Sequence, residues 1–480
     1  MSFYQGRKSL PQRFRLILLS VLQTDGLGFA SVLSEEQIQN AFDEQQAAFA
    51  EEEDDVYTAP VVLWGFLSQV LHKGEQRSCL AAVSRVIVLL VSLGRGACAK
   101  NSGAYCRARA KLPEIVIERL TLDVAQGCER AIPRHWLWHG RHVKLADGTI
   151  VSMPDTKENQ KEYPQQSTQK EGLGFPIARL VVLLSLATAM VSGMAIGPYS
   201  GKETGEMALM RQLLGQLDPH DILLTDRYFC SYFMIALLLE LGVDFVSRIH
   251  HARKTDLRRA QRLGKHDYLV VWTRPAKPTW MDQATYERMP ESLTLRQVEV
   301  KVSEPGFRVE SLTVVTSLID TKKYTPEDIA ELYHKRWLVE LDIASIKVTL
   351  GMDVLRCKSP EMVRKEIWTC LLAYNLIRQT MLQAAKQYKL SPRQLSFANA
   401  VQTLAASWLV LPIQDQSMQL LLIEAQFESL ASQLVGNRPG RVEPRAVKRR
   451  PKPQRLLTMT REKARELLLS GADPDAKEKE

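Results

Sequence analysis

The spacing of hydrophobic and polar positions divides this chain into stretches of different period. Up to about residue 140 apolar residues recur at helical spacing, through 14–22, 61–71, 80–93 and 115–122, with glycine-containing turns such as Gly94-Arg95-Gly96 between them. This predicts an all-α region. At Val143 the period shortens to that of strands, first over 143–147 and then over 150–154. Residues 180–201 carry no charge across 22 positions, long enough to span a bilayer, but serines, glycines and a proline interrupt them. Two buried strands with a turn at Ser192-Gly193 are expected instead, because a sheet covered on both faces reads as a continuous apolar run. The polar segment 155–174 between the strands, with Gly172 and Gly174, reads as a loop or flap. A helix over 203–217, a strand ending at Asp226, a helix over 232–241 and a strand over 243–249 follow. Strand-like runs at 268–272, 295–302 and 307–309 predict a mostly β insertion, and 312–316 returns to the core pattern. Helical periodicity then covers 360–389 and 397–435.

Between these lies a helix whose start is written out in residues: Thr325 to cap, Pro326 to open, and Glu327 and Asp328 in the first turn. At 100° per residue, Tyr333, Arg336, Glu340 and Lys347 fall within an arc of about 60°. Val339, Ile343, Ile346 and Leu350 form an adjoining apolar stripe that can pack. A phenol, a guanidinium, a carboxylate and an ammonium on one face suit phosphate handling with a metal ligand included. The same spacing also suits a surface ion pair of Arg336 with Glu340 beside a half-buried tyrosine.

The spacing Tyr-x2-Arg-x3-Glu-x6-Lys stands downstream of Leu145-Ala146-Asp147-Gly148-Thr149 and Leu223-Leu224-Thr225-Asp226-Arg227-Tyr228-Phe229. In that order the three blocks resemble the insertion-sequence-four family of bacterial transposases, over roughly residues 61–457. The resemblance implies an α/β fold built on a ribonuclease-H-like catalytic core. In that layout 1–140 is an α-helical DNA-binding region, 141–249 the first part of the core and 250–310 a β-rich insertion. Residues 311–390 are then the second part with the signature helix, and 391–480 a helical C-terminal region with a basic, proline-rich tail. The implied activity is metal-dependent DNA cleavage and strand transfer at the inverted-repeat ends of an insertion sequence, through a hairpin intermediate.

The resemblance gives Asp147, Asp226 and Glu340 the catalytic and metal-binding roles, with Asp147 bridging two ions. All-oxygen ligands favour Mg2+, with Mn2+ as a substitute. Tyr333, Arg336 and Lys347 would contact phosphates near the cut. Arg107, Arg109 and Lys111 match a DNA-contacting family block, and Lys448, Arg449 and Arg450 stand in the basic tail. Partners implied are double-stranded DNA, as element ends and as target, and a second copy of the chain in the DNA complex. Relatives flip a base onto a tryptophan at the start of the returning strand. Here that place reads Ser311-Leu312, which leaves Trp280 as the candidate wedge. Two other readings fit the same residues: a DNA-binding repressor or structural protein of this descent, and a nuclease that only cuts.

Composition changes this picture little. The 480 residues carry 63 Lys and Arg against 54 Asp and Glu, a net charge of +9, with acidic clusters at 43–55 and near the C-terminus masking a more basic middle. Residues 438–455 hold eight Lys and Arg and four prolines, too basic for a core and too proline-rich for a helix. Seven cysteines without ligand spacing predict reduced thiols and no zinc site. The N-terminus lacks a secretory pattern, so a cytoplasmic location on the bacterial nucleoid is expected.

Overall fold

A computed structural model of the chain describes residues 14–21, 32–46, 49, 55–94, 100–250, 253, 257–301, 311–436 and 456–471. The N-terminal third is helical: α1 (Arg15–Ser20), α2 (Glu35–Asp43), α3 (Ala59–Val70), α4 (Cys79–Ser92), α5 (Gly103–Ala110) and α6 (Glu114–Ala131). Strand β1 (Val143–Ser152) follows, then α7 (Lys157–Glu162), β2 (Ile177–Ser185), β3 (Val191–Pro198), α8 (Glu206–Gln212), β4 (Ile222–Thr225), α9 (Tyr232–Glu240) and β5 (Asp244–Arg248). Next come β6 (Gln261–Gly264), β7 (Asp267–Thr273), α10 (Gln283–Arg288), β8 (Ser292–Lys301) and β9 (Ser311–Thr316). The chain closes with α11 (Pro326–His334), α12 (Leu338–Ala344), α13 (Pro360–Gln387), α14 (Phe397–Ser407), α15 (Gln416–Ser432) and α16 (Arg461–Leu469).

The fold is mixed α/β around one nine-stranded sheet, in the order β3-β2-β1-β4-β5-β9-β8-β7-β6. β1 runs antiparallel to β2 and parallel to β4, and β4 is parallel to β5. β9 pairs antiparallel with both β5 and β8, so the strands of the expected insertion extend the same sheet. The segment 302–310, with its expected strand at 307–309, lies outside the described residues.

Both faces of the sheet are covered. Leu145 and Leu224 face the larger apolar cluster, which includes α13 and the signature region, while Ala146 and Leu223 face a smaller one with α8 and α9. This explains the uncharged run of β2 and β3. The turn between them falls at 186–190, with Ala189 at φ 61°, and not at Ser192-Gly193, which lie within β3, Ser192 at a bulge in its pairing with β2. Helix α13 spans 28 residues, about 42 Å, and is buried along most of its length. Its Asn375 accepts from the Val191 N–H at 2.9 Å and donates to the carbonyls of Val191 and Thr121. That satisfies the open edge of β3 and ties it to α6. Among the described residues no helix is long and apolar enough to cross a membrane.

The polar segment after β1 is more ordered than a loop. Thr156 caps α7, and the Gln165 carboxamide gathers the backbone of Gln169, Lys170, Gly172 and Gly174. The signature helix, expected as one run, is broken. A 3-10 turn, Lys335–Trp337, separates α11 from α12, and a π turn, Ser345–Thr349, ends the run. Asp342 within it is buried and paired to Arg378 at 2.9 Å and Arg393 at 3.0 Å, which anchors α12 to α13.

Candidate active site

The site starts from strand register. Leu145 of β1 lies opposite Leu224 of β4, so Asp147 on β1 and Asp226, just past the end of β4, each follow two residues further along, near enough for the Asp226 charge to act on Asp147. Both have the parity of Leu145 and Leu224, so they project toward the face on which α11 and α12 pack. Asp226 caps the 3-10 turn Arg227–Phe229, with its Oδ1 accepting from the Tyr228 N–H at 2.8 Å. The Asp226 carbonyl takes the Ser247 hydroxyl of β5 at 2.6 Å. These contacts hold the aspartate at the strand end.

Asp147 Oδ1 accepts from the Gly148 N–H at 2.8 Å. Burial pushes its carboxyl up to about 6. The Gly148 N–H and Arg336 work against that rise, and the negative fields of Asp226 and Glu206 add to it. A buried acid with two acidic neighbours favours any incoming cation. Arg336 is held above its ordinary value: burial disfavours its charge, but the hydrogen bond to Glu340 and the fields of Tyr333, Glu340 and Asp147 outweigh burial. Tyr333 is buried, and that burial pushes its phenol up to about 12, so it stays a neutral donor.

Glu340 is placed differently from the aspartates. Its Oε1 takes the Arg336 Nη2 at 2.6 Å, the i,i+4 pair that the spacing also allowed. Among the described residues no three His, Cys, Asp or Glu groups stand together as a ready metal cluster. The two aspartates therefore stand near one another, and the glutamate is paired with Arg336. Lys347 is half-buried in the π turn.

Glu206 is the residue that sequence reasoning passed over. It opens α8, and a Cβ built at Gly148 would overlap its carboxyl carbon, so its carboxylate lies directly on the β1 backbone beside Asp147. Burial raises its carboxyl, Arg179 of β2 opposes and Asp226 adds to the rise. The available signal was the glycine after Asp147, a place where a side chain does not fit.

Other expected contacts are distributed unevenly. Arg107 and Lys111 are exposed, whereas Arg109 is turned inward: its guanidinium lies 4.7 Å from the Phe66 ring centre and donates to Gln69 at 3.1 Å. Packing between α3 and α5 takes that arginine away from solvent. Lys448, Arg449 and Arg450 lie outside the described residues. Trp280 is half-buried, with Arg211 over its ring at 3.9 Å and Phe233 edge-on at 6.3 Å, so one ring face is already covered.

Residues 138–376 match the family described as transposase DDE domain. The transposase InsG for insertion sequence element IS4 of Escherichia coli K12 is 29% identical over 305 residues. That match takes in 62% of this chain and 65% of the relative, so the chain spans just under two thirds of the relative's length. The transposase for insertion sequence element IS421 of Escherichia coli is 39% identical over 64 residues, 13% of this chain and 17% of that one. A cryo-EM structure of the piggyBac transposase synaptic complex with hairpin DNA covers 89% of this chain and 87% of its own at 11% identity. Its TM-score of 0.41 is too low to imply a shared topology.

Proposed function

Since the chain belongs to the family of transposase DDE domains, in its insertion-sequence-four branch, we propose that it cuts and rejoins DNA at the inverted-repeat ends of an insertion sequence. The observation that carries this reading is the neighbouring pair Asp147 and Asp226, facing the helices that bring Arg336, Tyr333 and Glu340. The strand order β3-β2-β1-β4-β5, with β1, β4 and β5 parallel, supports a ribonuclease-H-like core. Residues 1–140 would form the helical DNA-binding region, and 141–249 with 311–390 the two parts of that core. Residues 250–310 would be the β-rich insertion, and 391–480 the helical C-terminal region with the basic tail.

The donor set fits a hard divalent cation: carboxylate oxygens, with the burial and mutual repulsion at Asp147 disfavouring a site left without positive charge. Asp147, Asp226 and Glu340 would hold two Mg2+ ions, or Mn2+ in their place. When bound, such ions neutralise charge at phosphorus and supply an activated nucleophile. The protein's own part is an exchange at Arg336. An arriving phosphate competes with Glu340 for the guanidinium, which frees the glutamate to turn toward the aspartates. Tyr333 donates to the strand being cut, and Lys347 adds charge beside it. With one such site per subunit, cutting both strands needs a second copy of the chain or a hairpin.

The test is full-length protein incubated with Mg2+ and DNA bearing the element's own inverted repeats. Wild type is expected to give excised and joined products, and Asp147→Ala, Asp226→Ala or Glu340→Ala to give none while still shifting the end DNA in a gel. The pairing of Glu340 with Arg336 favours one other reading, a DNA-binding protein that does not cut. Wild type that binds ends without cutting them would establish it.

A further inference from the structure

The signature helix has a second face. Glu331, Lys335 and Leu338 lie on the side of the helical run opposite Tyr333, Arg336 and Glu340. They form one wall of a cleft of about 910 Å3 that reaches across to the end of α13. Five Lys and Arg side chains line it against a single carboxylate, Glu331. Arg141, Arg393 and Lys335 are engaged by Asp244, Asp342 and Glu331, whereas Lys389 is exposed and has no ion-pair partner among the described residues. The floor is aromatic. Trp138 stacks on Tyr324 at 5.4 Å and 9°, and Trp136, half-buried on the 3-10 turn Arg134–Trp136, meets the neighbouring His135 ring edge to face at 6.1 Å and 79°.

This wall packs against the start of the signature helix. Trp138 and Arg141 pair across a two-residue turn whose central residues, His139 and Gly140, have φ of 48° and 73°. His139 reaches Asp328 at 3.3 Å, and Tyr324 immediately precedes Thr325, so the hairpin is docked on the start of α11. The cleft and the candidate catalytic residues thus occupy two faces of the same helical run.

We propose that this cleft binds an unpaired DNA strand, with a base on Trp136 and phosphates on Lys386 and Lys389. The proposal rests on the reading of the protein as one that handles DNA ends. Lysines beside a half-exposed aromatic ring are a combination that holds single strands, where bases stack and the backbone follows cations. A cleft of this volume suits a few nucleotides, whereas a duplex hides the faces of its bases.

The experiment uses full-length protein in EDTA, with fluorescence anisotropy on a labelled single strand of about 12 nucleotides and on the duplex of the same sequence. Trp136→Ala is expected to weaken single-strand binding on the order of tenfold and to leave duplex binding within about twofold. Lys386→Ala with Lys389→Ala should lower the slope of log affinity against log salt for the single strand by about 1.4. Trp136→Phe, which keeps an aromatic face, should retain most of the affinity, which separates stacking from loss of fold. Parallel losses on single strand and duplex would mean a general charge effect and overturn the proposal, as would unchanged single-strand binding in all variants. No metal or cleavage is involved, so failure here is distinguishable from failure of the transposase reading.

Discussion

At the scale of the residue, Asp147 and its neighbours determine how the site responds to protons. In an unfolded chain an aspartate titrates near 3.9, and here burial pushes the carboxyl up to about 6. The folded state therefore binds the extra proton between those values, so its stability falls as pH rises from about 4 to about 6 and stays lower above that. Asp147→Asn is expected to remove this loss. Urea denaturation of metal-free protein should show the variant more stable than wild type by on the order of 2 kcal/mol at pH 7, with the difference shrinking toward pH 4. A constant difference across that range would rule out the carboxyl as its source. Mn2+ binding followed calorimetrically should weaken below pH 6 for the same reason, since protons compete for the carboxylate. Gly148 is the second residue with a sharp expectation. Gly148→Ala forces the Glu206 carboxylate aside, at a cost of about 1 kcal/mol because a half-buried glutamate can swing. Glu206→Ala in the same background should recover that cost, and a double-mutant cycle showing no coupling would place Glu206 elsewhere.

At the scale of the element, the signature helix shows how much of a local pattern survives packing. Its start was written in Thr325, Pro326 and Asp328, and the capping box forms with the Thr325 N–H donating to Asp328 at 2.8 Å. Its interior departs from one regular helix, and Asp342 of α12 reaches two arginines on other elements, Arg378 of α13 and Arg393 beyond it. Asp342→Ala would leave the buried Arg378 charge without its partner, a loss of about 3 to 5 kcal/mol. Thermal melting should show it as a large drop in Tm, whereas Thr325→Ala, which removes one cap, should cost about 1 kcal/mol. Equal effects of the two substitutions would show that α12 is not anchored through Asp342. Arg109 illustrates the same limit in α5. Its position among Arg107 and Lys111 reads as an exposed basic face, and only the approach of Phe66 from α3 turns it inward.

At the scale of the whole molecule, charge lies at both ends of the function. Deleting residues 438–480, most of which lie outside the described residues, removes the eight Lys and Arg of 438–455. Affinity for duplex DNA is expected to fall, and its slope against log salt to decrease by up to about 7 from those eight cations if each of them meets a phosphate. Matching slopes for the two proteins would show that this segment does not touch DNA. The sequence by itself determined the elements and the chemistry: helical period before residue 140, strand period after it, the two Asp blocks and the signature spacing. Those are local properties, set by backbone period and side-chain type. What only the tertiary structure decided are matters of long-range pairing. The nearness of Asp147 and Asp226 comes from the β1 and β4 register across 79 residues of chain, from Leu145 to Leu224. The joining of β6, β7 and β8 to the core sheet comes from β9, which pairs on both of its edges. Glu206 and the cleft behind the signature helix follow from which surfaces those pairings bring together. No period in the sequence encodes such meetings, because they depend on where distant elements pack.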